Sequence, residues 1–127
     1  MCPEAAGIFV VEDDPRWIRT ITRGLKLGGH TIVGVATTQK ETLSKVGDFG
    51  SLGVQVVTLD GQLPDDEIGT FGGEIIAEEV RARWPDIILV GLSTYELKGV
   101  DVCVNKLTQV GRLSDIVTRT KRADLKG

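Results

Sequence analysis

The residues able to do chemistry in this chain each fall at the end of a short apolar run: Glu12, Asp13 and Asp14 after the first, Asp60 after a later one, then Ser93, then Lys106. Carboxylates brought together from two segments repel one another. A hard divalent cation such as Mg²⁺ relieves that repulsion, because it prefers oxygen ligands and keeps waters that a phosphate can replace. A carboxylate is also a nucleophile toward a phosphoryl group, and the product is an aspartyl phosphate. A metal, an ammonium and a hydroxyl can then neutralise and orient the phosphoryl oxygens, which is most of what phosphoryl transfer asks of a protein. Glu12, Asp13, Asp60, Ser93 and Lys106 make up such a set if the fold gathers them.

The elements that must do the gathering alternate along the chain. Ile8 to Val11 reads as a short strand covered on both faces. Asp14 then reads as an N-cap and Pro15 as the first helical residue, with Ile18, Ile21 and Leu25 at helical spacing and Gly28-Gly29 as the stop. Strands are expected at Thr31–Ala36, Val54–Leu59, Ile87–Leu92 and Val100–Val104, and helices at Gln39–Val46, Glu74–Trp84 and Gln109 to about Lys121. In the last helix Val110, Leu113, Ile116 and Val117 face inward. Strands alternating with helices predict an α/β fold with a doubly wound parallel sheet. In such a sheet ligands collect beyond the carboxyl ends of the strands, and the acidic run, Asp60, Ser93 and Lys106 all fall there.

Composition narrows the field. A chain of 127 residues suits one domain, taken as 1–127. The net charge of -3 argues against an electrostatic nucleic-acid binder, and Arg119, Lys121, Arg122 and Lys126 read as a solvated helix end. No apolar run approaches the roughly 20 residues of a membrane span, and the start carries no secretion signal. Cys2 and Cys103 do not suggest a disulfide, so a reducing cytoplasm is expected, with Cys103 a small buried residue. His30, after two glycines, reads as surface or loop.

With these residues in order, the chain resembles a receiver domain of the response-regulator family. Val10-Val11-Glu12-Asp13-Asp14-Pro15 is similar to the family's acidic pair after strand one, and Asp60-Gly61-Gln62-Leu63-Pro64 to its Asp-x-x-Met/Leu-Pro pattern. Leu92-Ser93 resembles its hydroxyl residue after strand four, and Gly99 to Lys106 its Gly-Ala-Asp-x-Tyr-Leu-x-Lys run. The resemblance implies a flavodoxin-like, five-stranded sheet of order 2-1-3-4-5 and a stand-alone switch in two-component phosphorelay signalling, a phosphoprotein and not an enzyme on outside substrates. It implies Asp60 as phosphoacceptor, Asp13 and Asp60 as Mg²⁺ ligands, Glu12 acting through water, and the Gln62 backbone carbonyl completing the set. Lys106 would pair with the phosphoryl oxygens and Ser93 would hydrogen-bond them. A histidine kinase or histidine phosphotransfer protein would be the donor, and a downstream protein the partner.

The chain also departs from that pattern. Cys103 stands where the family usually carries an aromatic, and Leu107 follows Lys106 where proline is usual, so a trans bond is expected there. The stretch 64–73 is longer than usual and brings Asp65, Asp66 and Glu67 near the acidic site, as extra metal-favouring charge, a lid or a tolerated insertion. Only Thr94 to Lys98 separates Ser93 from the Gly99 run, too little for the fourth helix of that fold, which is expected as a loop. The flank around Val102, Leu113 and Val117 would then expose apolar surface, with Tyr95 and Leu97 as a cover. A phosphorylation-independent pseudo-receiver is the alternative reading.

Overall fold

The computed structural model of the chain describes residues 6–126. Its elements are β1 (Gly7–Val11), α1 (Pro15–Leu27), β2 (Thr31–Ala36), α2 (Gln39–Lys45), a 3₁₀ turn (Val46–Asp48), α3 (Phe49–Leu52), β3 (Val56–Asp60), α4 (Gly72–Arg83), β4 (Ile88–Ser93), β5 (Val102–Asn105), a second 3₁₀ turn (Val110–Arg112) and α5 (Leu113–Lys126). The strands form one parallel sheet in the order β2-β1-β3-β4-β5, as the resemblance implied. Because side chains alternate along a strand, each apolar run feeds two cores. Phe9, Phe49, Leu59, Ile76, Val80 and Leu89 pack under α2, α3 and α4, while Ile8, Val10, Ile21, Leu25, Leu92 and Val117 pack under α1 and α5.

Local chemistry sets the element ends. The Asp14 carboxylate accepts the Arg16 amide at 2.8 Å and Pro15 opens α1, as capping predicts. Gly29, at φ +91°, turns the chain out of α1 into β2. The third strand begins later than the apolar run suggests, because the Val54 amide closes the end of α3 on Phe49 O at 3.0 Å. The fifth also begins late, since Asp101 is engaged on Leu89 before pairing starts.

Two residues read as peripheral or ordinary prove otherwise. His30 is buried, at 4% exposure. Its Nδ1 accepts the Ala6 amide at 3.0 Å, which leaves the ring hydrogen on Nε2, 3.1 Å from the Thr118 hydroxyl, so the ring ties β1 to α5. Cys103 is exposed, not buried, because its side of β5 faces the region a fourth helix would cover. Thr42, within the expected Gln39–Val46 helix, and Phe49, just beyond it, are both fully buried. The reading of Cys2, and of the Lys121, Arg122 and Lys126 side chains, falls outside the described residues.

Residues 94–101 form bends and a turn with no helix, as expected. The region is nevertheless built. Leu97 is 3% exposed and rests against Gly91 and Gly61, so it fills part of the space that a helix would otherwise fill. Arg81 of α4 pairs with Asp101 at 3.0 Å, Asp101 accepts the Leu89 amide at 2.7 Å, and Glu74 accepts the Lys98 amide at 2.7 Å. Leu113 and Val117 are not exposed by the missing helix, because they are on the inner side of α5, which packs against the opposite face of the sheet.

Replacing Leu97 with Ala should therefore cost about 2–4 kcal/mol in denaturant unfolding, the range for a buried leucine. Leu107→Ala, at a side chain 71% exposed, should change stability by less than about 0.5 kcal/mol. Equal effects would mean that Leu97 is not part of the core.

Candidate functional site

Parallel register places the chemistry. Val11 pairs with Leu59, so the next residues on each strand, Glu12 and Asp60, emerge side by side. Asp60 pairs with Leu92 and Ser93 with Asn105, which carries the row on to Ser93 and Lys106. The Lys106 amide donates to Ser93 O at 3.0 Å and locks that corner. Ligand oxygens of Glu12, Asp13 and Asp60 lie within 4.8 Å of one another. An all-oxygen, closely spaced, acidic donor set fits a hard dication such as Mg²⁺.

Lys106 neutralises part of this charge. Its Nζ donates to both Glu12 oxygens, at 2.8 and 2.9 Å, and stands 3.5 Å from Asp60 Oδ1. Glu12 is almost wholly buried, at 1% exposure, so the pair is charge-assisted and largely dry. Asp60 receives less help. Burial, then the negative charge of Glu12 and hydrogen bonding with it, push its carboxyl up to about 7; Lys106 pulls it down in part, and Asp13 adds a further upward push. Asp13 is exposed, and Asp14 serves the helix cap, as the sequence indicated. Gln62 is exposed two residues past β3.

The Ser93 hydroxyl donates to the backbone carbonyl of Tyr95, and the Tyr95 amide returns a bond to Ser93 Oγ at 3.2 Å. Tyr95, expected with Leu97 as a cover over the gap left by the missing fourth helix, also reaches the strand end that carries Asp60. Its ring packs at a tilt against Phe71, with 5.2 Å between centroids, and its hydroxyl lies so close to Gly61 that a side chain there would collide with it. Burial and the nearby charges of Asp60, Glu74 and Asp66 raise the Tyr95 hydroxyl pKa. Trp17, in the first turn of α1, has its ring centre 5.0 Å from Lys106 Nζ. The peptide bond before Leu107 is trans.

Asp65 and Asp66 do not join the metal-ligating group. Asp65 accepts the amides of Gln39 and Lys40, at 2.7 and 2.9 Å, and so caps α2 from a distant segment. Asp66 Oδ2 accepts the amides of Leu63 and Gly72, at 3.0 and 2.7 Å, and pins the loop base to the start of α4. The insertion is a hydrogen-bonded structure, with Ile68 fully exposed on it.

No family model matches the sequence, and no curated protein matches it. Solved structures do. A response-regulator receiver domain protein (CheY-like) from Methanospirillum hungatei JF-1 superposes with a TM-score of 0.78 at 18% identity, over 96% of this chain and 98% of that one. The CheX-CheY complex with BeF3 and Mg²⁺ from Borrelia burgdorferi gives 0.75 at 14% identity, over 91% of this chain and 88% of that one. The phosphorylated cyanobacterial phytochrome response regulator RcpA gives 0.68 at 22% identity, over 95% and 94%. The fold is that of CheY-like response-regulator receiver domains.

The raised Asp60 carboxyl has a consequence for stability. Between its usual value of 3.8 and about 7, the folded metal-free protein holds a proton that the unfolded chain has released, so stability falls as pH rises through that window. Asp60→Asn removes the effect. In metal-free buffer the variant should unfold at higher denaturant than wild type at pH 8, by about 1–4 kcal/mol, with the gap closing near pH 4. A gap that is constant with pH would remove Asp60 as its source.

Proposed function

We propose that the protein is a phosphoacceptor switch in which Asp60 takes a phosphoryl group from a histidine kinase or histidine phosphotransfer protein and a protein partner reads the change. The observation that carries this reading is the convergence of Glu12, Asp13 and Asp60 oxygens within 4.8 Å beside the Lys106 ammonium. In the transfer an Asp60 oxygen forms a bond to phosphorus while the bond from phosphorus to the donor imidazole nitrogen breaks. The imidazole leaves with the electron pair, and Asp60 becomes an acyl phosphate. Mg²⁺ held by Asp13, Asp60 and the Gln62 carbonyl, with Glu12 acting through water, would neutralise charge on the phosphoryl oxygens. Lys106 shifts from Glu12 toward those oxygens, and Ser93 turns its hydroxyl from Tyr95 to them. The chemistry ends at self-phosphorylation and self-dephosphorylation, with no outside substrate.

Turning Ser93 removes a restraint on Tyr95, and Tyr95 is packed against Phe71. The loop 94–98 and the insertion would therefore move together, giving this chain an aromatic readout that Cys103 cannot supply. Among the described residues no helix is long and apolar enough to cross a membrane. We place the protein in the cytoplasm, where the exposed Cys103 thiol stays reduced. One observation favours the phosphorylation-independent module: the Ser93 hydroxyl already has a partner within its own loop.

Intact mass after incubation with acetyl phosphate and Mg²⁺ separates the two. Wild type should gain one phosphoryl mass and Asp60→Asn none; an unmodified wild type, under conditions that label a known receiver, would establish the interaction module instead. Lys106→Ala should keep Mg²⁺ affinity within about threefold yet weaken beryllofluoride binding at least tenfold, in line with loss of a charge-assisted contact. Hydrogen exchange should change at 94–98 and at 68–73 together when beryllofluoride and Mg²⁺ are added. Change in one segment alone would uncouple Tyr95 from Phe71.

A further inference from the structure

Lys106 is held in two chemically different ways. Glu12 and Asp60 hold it with oxygens, at 2.8, 2.9 and 3.5 Å. Trp17, in the first turn of α1, holds it with a ring face whose centre is 5.0 Å from the ammonium. The two holds respond differently to phosphoryl chemistry. An oxygen engaged by a cation or by phosphorus attracts Lys106 less. An indole face does not compete for those ligands, and its negative quadrupole attracts an ammonium within about 6 Å whatever the carboxylates are doing. The Lys106 side chain is only 13% exposed, and partial desolvation strengthens such an attraction. The stem of a lysine is flexible, so an ammonium with carboxylate partners alone has no reason to stay over Asp60 once those partners are engaged.

We propose that Trp17 is a positioning residue for phosphoryl capture: its indole face keeps the Lys106 ammonium above Asp60, ready for the phosphoryl oxygens. Trp17 touches no reacting atom and forms no bond. The proposal rests on the phosphoacceptor reading and adds the residue that steers its cation. The competing account is that Trp17 only packs, since it also lies against the core under α1 and α5.

The experiment uses the full chain with Trp84→Phe, which leaves Trp17 as the one indole of two. Trp17 is replaced biosynthetically by mono-, di- and trifluorotryptophan, which keep the ring shape while weakening its negative face. The probe is beryllofluoride with Mg²⁺, read by calorimetry, and Mg²⁺ alone is titrated in parallel. Beryllofluoride affinity should fall stepwise along the series, by about 3–10-fold in total, the span expected of a partly desolvated cation–π contact. Mg²⁺ affinity and melting temperature should stay constant, and Lys106→Met should flatten the series. Should Trp84→Phe fail to fold, Trp17→Phe and Trp17→Leu in the otherwise native chain replace it, with Phe retaining part of the affinity and Leu losing most. A flat fluorination series, or equal affinities for Phe and Leu, overturns the proposal while leaving the phosphoacceptor reading intact. A wild-type chain that neither binds beryllofluoride nor gains phosphoryl mass overturns both.

Discussion

Three carboxylates crowded at two strand ends are the constraint around which this molecule is arranged. Parallel register between β1 and β3 puts Glu12 beside Asp60, and the turn into α1 adds Asp13. Burial and the neighbouring charge of Glu12 make ionisation of Asp60 costly. One ammonium, delivered from the far side of the sheet by β5, offsets part of that cost by binding Glu12 through both oxygens. Asp60 is left with a carboxyl raised to about 7, through burial first and Glu12 second. An incoming dication would relieve that repulsion, and the Lys106 ammonium already stands 3.5 Å from Asp60 Oδ1.

The second organising feature is how the chain manages without a helix between β4 and β5. A helix there would cover the β4 and β5 side of the sheet; five residues, Thr94 to Lys98, cannot. Leu97 takes over part of the packing against Gly91 and Gly61. Polar staples do the rest: Arg81 to Asp101, Asp101 to the Leu89 amide, and Glu74 to the Lys98 amide. All three bind the loop to α4 or β4, so anything that shifts the loop is felt at α4. The same loop begins at Ser93, and its Tyr95 ring meets Phe71 of the insertion. The longer connection after β3 and the shorter one after β4 are thus in contact, one aromatic from each, at the mouth of the site.

Much of this was legible in the sequence. Apolar runs marked all five strands, Asp14-Pro15 marked the start of α1, and the residues at the end of the runs were the ones the sheet gathers. These features are local or periodic, and periodicity reads directly as burial. The shortness of the segment after Ser93 was likewise enough to exclude a helix. What the tertiary structure decided are contacts between segments far apart in the chain that no local pattern encodes. Asp65 and Asp66 looked like additional metal-favouring charge, but backbone amides of α2 and α4 claim them. His30 looked peripheral and is a buried tie between β1 and α5, while Cys103 looked buried and is exposed, because burial of a single residue depends on what packs opposite it. The contacts of Tyr95 and Trp17 follow from the same rule: each acquires its partner only when the strands align and two distant segments meet.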